Sequence, residues 1–205
     1  MNTQSTSQLP VSSGNPCPFL RALVADGKLQ DDVEPLTNMV SVIGAVVRHG
    51  ESTPALTAPG IYAIAMVANG VGPVAVLKTN LHGVRLNELR NGPFDKKGVG
   101  SGILDVAGKV DAKQLARLQE FASPKTSGDG KSEPGLNLAE VNRFLDANFE
   151  RAKGKRRLVD RGLMNGEFPV LLKVMGKDSP DGRYLSVAEV QTLFVERQLP
   201  ERLRG

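Results

Sequence analysis

The chain has 205 residues, enough for one sizeable domain with a hydrophobic core. Its 40% hydrophobic and 23% charged fractions are typical of globular proteins, and the scarcity of aromatic residues (4%, with no Trp) disfavours strand-rich folds packed by aromatics. A net charge of +4 permits acidic partners without requiring them. The basic cluster between Arg151 and Arg161 is typical of a solvated helix face, and no nucleic-acid-binding module is recognisable. We therefore expect no nucleic-acid partner.

The first 14 residues are polar and contain neither the basic nor the apolar region of a secretory signal. We expect residues 1–14 to form a disordered leader and residues 15–205 to form one domain in the cytoplasm, where reducing conditions suit a free thiol. The uncharged stretch between Ser52 and Leu77 is interrupted by prolines and glycines. No single helix in it is long enough to cross a bilayer, so we expect buried core helices and no membrane partner.

Hydrophobic spacing and capping signals predict helices along most of the chain, and hence an all-α fold. The expected helices run from Pro16 to about Gly27, 36–49, 60–68, 111–122, 138–153, from about 165, and from 186 to just before Leu199, with a short one near 86–90. The cap residues are Asp111, Asn137 and Ser186, the last with Glu189 three residues on, as in a capping box. Residues 78–110 are Gly-rich and expected to be largely irregular, and residues 123–136 are expected to form a flexible polar loop.

Cys17 is the only cysteine of the chain, so it cannot form an internal disulfide. Asn15 is a suitable N-cap and Pro16 a suitable first helical residue, which places Cys17 in the first turn of a helix. Free amides and the helix dipole should lower the pKa of the thiol there, and a thiolate is a metal ligand or a nucleophile. The alternative is a small buried hydrophobic residue without a chemical role.

Three segments carry recognisable motifs, in this order along the chain. The first is residues 15–29, with the Pro-Cys-Pro motif and a later Gly and Leu. The second is Gly166-Glu167, followed by an apolar run and Gly176. The third is residues 184–200, which ends in Glu-x-x-Leu-Pro. Together they resemble the family of heme-thiolate haloperoxidases and peroxygenases, in which the Gly and Leu lie at matching distances from the cysteine and the third segment is similar to the closing helix.

This resemblance implies a single-domain, all-α helical bundle that encloses a heme b. Cys17, flanked by Pro16 and Pro18, would be the axial ligand of the heme iron. Glu167 would be the distal acid–base group, and Arg161 its charged helper, with Arg157 as a second candidate for that role. The implied reaction uses hydrogen peroxide to oxidise or oxygenate a small organic substrate. Without the resemblance, Glu167 would be an ordinary acidic residue in the first turn of a helix capped by Asn165.

The chain departs from the family pattern in the acidic motif that binds a divalent cation beside a heme propionate. The corresponding segment is residues 86–97, in which Asp95 is the candidate for the last acid, the glutamate is missing, and Lys96 and Lys97 follow. We expect the cation to be absent and a lysine to meet the propionate instead. In addition, Ala25-Asp26 stands where the family has Asn-His.

Other functions stay open at this point. The altered acidic segment is compatible with a non-catalytic heme-binding protein, for sensing or storage, and a helical interaction protein without a cofactor is a third hypothesis. His49 has a sufficient role at the end of a helix, whereas His82 could line the distal pocket. The aliphatic side chains expected in that pocket include Ile61, Ile64, Met66 and Val67.

Overall fold

The computed structural model describes residues 8–49, 57–95 and 100–204. Its helices, in chain order, are α1 (Pro18–Ala25), α2 (Leu36–His49), α3 (Ala58–Val67), α4 (Pro73–His82), α5 (Ala112–Ala116), α6 (Leu118–Phe121), α7 (Leu138–Arg151), α8 (Asp160–Leu163), α9 (Phe168–Met175) and α10 (Val187–Gln191). Three strands, β1 (Ser123–Thr126), β2 (Ser132–Asn137) and β3 (Tyr184–Ser186), form an antiparallel sheet in the order β1-β2-β3. The expected all-α fold is therefore wrong, and the chain combines a helical body with a small sheet.

The sheet arises from a hairpin in the segment for which the sequence predicts a flexible loop. Ser127 donates its amide to the carbonyl of Lys131 over 2.9 Å and thereby closes the turn between β1 and β2. Gly130 has φ of +82°, a conformation that L side chains rarely adopt, and Asp-Gly is a common hairpin sequence. The Asp129-Gly130 pair is thus the sequence signal that predicts this turn.

Two prolines lie within the hairpin without breaking it. Pro124 and Pro134 face each other across β1 and β2. β2 pairs with β3 only from Gly135 to Asn137, so Pro134 gives up no hydrogen bond to β3. The face of Gly135 is covered by the buried ring of Tyr184, since an added Cβ would lie 2.3 Å from its Cδ2 atom.

The predicted helix starts are largely confirmed by their caps. Asn137 and Glu140 form a reciprocal capping box at the start of α7. Asp111 accepts hydrogen bonds from the first-turn amides of α5, and Ser186 accepts one from the amide of Glu189 in α10. The carboxylate of Glu189 makes no return bond of a capping box among the described contacts, because it pairs with Arg202 at 2.8 Å.

The segment before α1 is held against the body by hydrogen bonds, in contrast to the expected disordered leader. Leu9 donates its amide to the carbonyl of Ala25 over 3.0 Å, and Ser12 donates its amide to Asp31 over 2.7 Å. These contacts belong to residues 8–14, while residues 1–7 lie outside the described part of the chain. This segment therefore lies against the last residue of α1 and the loop that follows the helix.

The hydrophobic core lies between α1, α2, α3, α7, α9 and α10 and includes a chain of aromatic contacts from Phe121 through Phe144 and Phe168 to Phe194. The segment after α4 is attached to the residues before α2 by two backbone hydrogen bonds between Glu34 and Val84. Each residue donates its amide to the carbonyl of the other over 2.8 Å. No helix among the described residues is both long enough and apolar enough to cross a membrane.

Candidate functional site

A cavity of about 290 Å³ opens between α1, α2, α3 and α9, close to the lower end of the roughly 300–1,000 Å³ typical of small-molecule sites. Its wall is almost entirely apolar. The side chains from the three apolar helices are Met39 and Ile43 of α2, Ile61, Ile64, Ala65 and Ala68 of α3, and Val170, Leu171 and Val174 of α9. Cys17 and Glu167 both line this cavity, so the fold brings together the two residues that the sequence assigned to opposite faces of a cofactor.

Cys17 is the N-cap of α1, and the helix begins at Pro18. The predicted helix start at Pro16, with Asn15 as the cap, is therefore wrong. A residue that precedes proline is driven into the extended region, and Cys17 has φ of −84° and ψ of 113°. Asn15 instead accepts a hydrogen bond from the amide of Cys17 on its side-chain oxygen, over 3.2 Å.

This position keeps Cys17 beside the amides of the first helical turn. The first-turn amides of an α-helix have no acceptor within the helix, and the N-cap side chain is the group best placed to approach them. Cys17 is partly buried and packs against the hydrophobic core. An anionic sulfur there is favoured by the helix N-terminus while it faces an apolar cavity.

Arg21, one helical turn after Cys17, is a functional candidate that no sequence motif points to. It is 5% exposed, and its guanidinium donates to the carbonyls of Ser12 (2.7 Å), Asn15 (3.0 Å) and Gly108 (3.3 Å). Burial, followed by the nearby cation Arg197, lowers the pKa of Arg21 below its ordinary value, while a negative charge at Cys17 acts in the opposite direction. A buried cation thus lies within electrostatic reach of the sulfur.

Glu167 is the N-cap of α9, because the helix begins only at Phe168. The expected cap, Asn165, lies outside α9 and accepts a hydrogen bond from Arg161 over 3.0 Å. Ser101 donates its hydroxyl to Oε1 of Glu167 over 2.5 Å and its amide to Oε2 over 3.2 Å. Both carboxylate oxygens are therefore oriented by one residue, and a carboxylate oxygen can accept more than one hydrogen bond.

The two arginines proposed as helpers of Glu167 bind elsewhere and do not line the cavity. Arg161 pairs with Asp146 over 2.6 Å and bonds to Asn165 and Asn142. Arg157 pairs with the fully buried Asp160 over 2.5 Å and donates to the carbonyl of Asp95 over 3.0 Å. Ser101 stands next to Glu167 in their place. It lies in a Gly-rich stretch with no recognisable motif, which is why the sequence did not point to it.

A second, more polar cavity of about 80 Å³ adjoins the first and shares Pro16, Phe94 and Glu167 with it. Its other lining residues include Arg90, Asp95 and Ser101. The guanidinium of Arg90 donates to the carbonyls of Ser13 (2.8 Å) and Asp105 (2.5 Å). The second cavity thus combines one cation, Arg90, with two carboxylates, Asp95 and Glu167. Lys96 and Lys97, the expected propionate partners, lie outside the described residues.

The remaining residues expected near the site divide into two groups. Ile61 and Ile64 line the cavity, whereas Met66 packs against the core, and neither Met66 nor Val67 is among the lining residues. His49 and His82 are exposed at the ends of α2 and α4 and do not line the cavity. The expected distal role of His82 therefore has no support in this geometry.

The side chains at the cavity suit a cofactor that already supplies most of the ligands of its metal ion. Among the described residues, no group of three or more His, Cys, Asp or Glu side chains could hold a bare metal ion. A heme supplies four nitrogen ligands to its iron and needs only an axial ligand from the protein, which Cys17 can provide. The apolar walls also match the two apolar faces of a heme.

In comparisons with known proteins, no family model, no curated protein and no solved structure matches this chain.

Proposed function

We propose that this chain is a heme-thiolate peroxidase or peroxygenase-like enzyme that uses hydrogen peroxide to oxidise or oxygenate a small organic substrate in the cytoplasm. The observation that carries the proposal is the placement of Cys17 and Glu167 on the wall of the same apolar cavity. A carboxyl group on the wall of an otherwise apolar cavity is unusual, and here a thiol from a distant part of the chain meets it on that wall. Their meeting is what the resemblance to heme-thiolate enzymes requires.

Cys17 would hold the heme through its sulfur. A bound heme would supply the redox chemistry, with the thiolate donating electron density that favours cleavage of the O–O bond of the peroxide. The chain's own contribution at this position is to keep the sulfur anionic. The N-terminus of α1 and the buried guanidinium of Arg21 would both favour the thiolate, because each places positive charge near Cys17.

Glu167 would serve as the acid–base group for hydrogen peroxide. Its carboxylate accepts the proton from one peroxide oxygen and returns it to the oxygen that leaves as water. The two hydrogen bonds from Ser101 hold both carboxylate oxygens, so the group does not have to be reoriented for each transfer. The aliphatic wall from α2, α3 and α9 excludes water and favours an apolar substrate.

A non-catalytic heme-binding role, in sensing or storage, is the alternative. The observation that favours it is the position of Arg161, which pairs with Asp146 rather than standing at the cavity wall beside Glu167 as the resemblance implies. Binding of heme through Cys17 is common to both functions. Only the behaviour of Glu167 separates them.

Absorption spectroscopy tests the heme and its ligand. Protein purified from a heme-supplemented culture is expected to show, after reduction and addition of carbon monoxide, the red-shifted Soret band of thiolate ligation. Cys17→Ala should lose the band, and Cys17→His should retain heme with an unshifted band. A colourless wild-type protein that does not bind added heme would refute both functions.

Peroxide-driven oxidation of an aromatic dye tests the catalytic role. Glu167→Gln is expected to lower turnover by about 10²–10⁴-fold while the Soret band stays unchanged. Glu88→Gln, at a glutamate whose side chain is 51% exposed, is the matched control and should leave turnover unchanged. Heme binding with no turnover above that of Glu167→Gln would favour the non-catalytic alternative.

A further inference from the structure

The helical hairpin formed by α3 and α4 carries an exposed apolar stripe. Val74, Leu77 and Leu81 of α4 are 77%, 57% and 67% exposed. Their spacing of three and four residues places them on one face of the helix. Val71, in the loop between the two helices, is 69% exposed and extends the apolar surface to the tip of the hairpin.

This stripe faces away from the body of the protein. Among the described residues, α4 packs chiefly against α3. The contact side of α4 is marked by Thr79, which is buried, and by Asn80, which accepts a hydrogen bond from the hydroxyl of Tyr62 over 2.7 Å. A helix that uses one side for the fold and shows apolar side chains on the other marks an interaction surface.

The helix that carries the stripe has a basic side chain, Lys78, and no acidic one. No acidic residue occurs between Glu51 and Glu88 in the sequence. Lys78 lies next to the stripe on α4, His82 ends the helix, and both are exposed. Arg85 follows and is paired with Glu88 over 3.0 Å, so it adds no net positive charge there. Apolar side chains bordered by basic ones, without acidic residues, are typical of helices that lie in the interface of an anionic membrane.

We propose that the α3–α4 hairpin docks on the surface of an anionic lipid membrane. Val74, Leu77 and Leu81 enter the boundary between headgroups and acyl chains, and Lys78 meets the lipid phosphates. A second copy of the chain fits this surface less well, because a symmetric contact would bring the Lys78 side chains of two hairpins together, and neither α3 nor α4 contains an acidic residue to compensate. Docking of this kind needs no membrane-spanning helix and does not depend on the proposed enzymatic function.

Flotation with lipid vesicles tests the proposal on the full chain. Wild-type protein is expected to bind vesicles of phosphatidylcholine with phosphatidylserine and to bind vesicles of phosphatidylcholine alone much more weakly. The double variant Leu77→Glu/Leu81→Glu should lose at least about tenfold in affinity through lost apolar burial and added negative charge. Lys78→Gln should lose about fivefold on the anionic vesicles.

The matched control is Leu158→Glu/Val159→Glu, at apolar residues that are 95% and 61% exposed but lie outside the hairpin. It should bind as the wild type does, and circular dichroism should show the same fold for all variants. Three results would overturn the proposal: no binding to anionic vesicles, equal loss in the control, or a wild-type dimer in light scattering that Leu77→Glu/Leu81→Glu converts to a monomer.

Discussion

The hydroxyl of Ser101 donates a hydrogen bond of 2.5 Å to Glu167, although the two residues are far apart in the chain. Ser101 is 3% exposed, and its carbonyl accepts a bond from the guanidinium of Arg151 over 3.3 Å. The segment before α5 is thereby tied both to α7 and to the start of α9. The orientation of the carboxylate at the cavity wall thus depends on a serine with no motif of its own.

Replacing Ser101 tests this dependence within the proposed peroxide reaction. Ser101→Ala removes the hydroxyl bond that orients one oxygen of Glu167. We expect about a tenfold lower turnover number with peroxide, since a small misplacement of an acid–base group is costly. Steady-state kinetics of dye oxidation measure this effect, and an unchanged Soret band shows that heme binding is intact.

Arg161→Ala provides the contrasting case. The resemblance to heme-thiolate enzymes assigns Arg161 a role beside Glu167, whereas the structure pairs it with Asp146 away from the cavity. The turnover number is expected to stay within about twofold of the wild type, because Arg161 does not line the cavity. The fold should also persist, because the loss of a partly exposed ion pair costs only about 0–1 kcal/mol of stability. A larger loss for Arg161→Ala than for Ser101→Ala would mean that the sequence assigned the helper correctly.

The proximity of the buried cation Arg21 to Cys17 predicts a reactive thiol. Since Cys17 is the only cysteine, alkylation by iodoacetamide reports on it alone. In heme-free protein, Arg21→Met should slow alkylation at neutral pH by at least about threefold, because the thiolate loses a nearby cation. Arg143→Met, at a side chain that is 67% exposed, should leave the rate unchanged. Heme added before the reagent is expected to protect the thiol, and alkylation at an unchanged rate would argue against ligation through Cys17.

The sequence predicts the helices better than it predicts the sheet, for a physical reason. Caps such as Asn137 and Asp111 act within one turn, so their effect can be read from neighbouring residues. β1 and β2 contain Pro124, Pro134 and Gly135, which are poor strand formers. Part of what stabilises the strands comes from a distant part of the chain, through the pairing of β2 with β3.

The residues of the candidate site also differ in how well the sequence predicts them. Cys17 and Glu167 stand in short motifs, and the resemblance of these motifs to heme-thiolate enzymes is what suggests a role for them. Ser101 and Arg21 act through contacts that only folding creates, so no local pattern distinguishes them from other polar residues. The start of α1 is hard to predict because Pro16 and Pro18 are both acceptable first residues, and the strong effect of Pro18 on the preceding residue decides between them.

A second polar cluster, around Glu133, predicts an unusual tyrosine titration. Burial, followed by the hydrogen bond from its hydroxyl to Glu133 at 2.9 Å, raises the pKa of Tyr184 from 10.0 to about 12. The chain has two tyrosines, so in Tyr62→Phe the absorbance change of phenolate formation belongs to Tyr184 alone. We expect a titration midpoint of about 12 in that variant.

The same shift fixes the direction of the pH dependence of stability. The folded state holds the phenol proton more tightly than the unfolded state does, so this contribution is complete below pH 10.0 and is lost as the pH rises through about 12. The free energy of unfolding of Tyr184→Phe should therefore fall less steeply over this range than that of the wild type. Circular dichroism recorded alongside separates titration from alkaline unfolding, and a midpoint near 10.0 in folded Tyr62→Phe would contradict the burial of the hydroxyl.

The contact between Gly135 and Tyr184 predicts a strong requirement for glycine in β2. A Cβ at position 135 would lie 2.3 Å from Cδ2 of Tyr184 and 2.8 Å from Cγ of Lys125. The lysine side chain can move, but the tyrosine ring is buried and its hydroxyl is bonded to Glu133, so the strand itself must shift. Gly135→Ala should therefore lower the free energy of unfolding by about 1–3 kcal/mol, as an overpacked site does.

Urea unfolding measures this loss as a lower midpoint with an unchanged slope. Gly128→Ala is the matched control, because it lies in the turn of the same hairpin with no atom within 4 Å of an added Cβ. Its effect should stay within about 0.5 kcal/mol. Equal effects of the two substitutions would mean that the hairpin does not pack on Tyr184 as described, since only that packing distinguishes the two glycines. A loss confined to Gly135→Ala would instead locate the constraint in the ring of Tyr184, the residue that joins β3 to the hairpin.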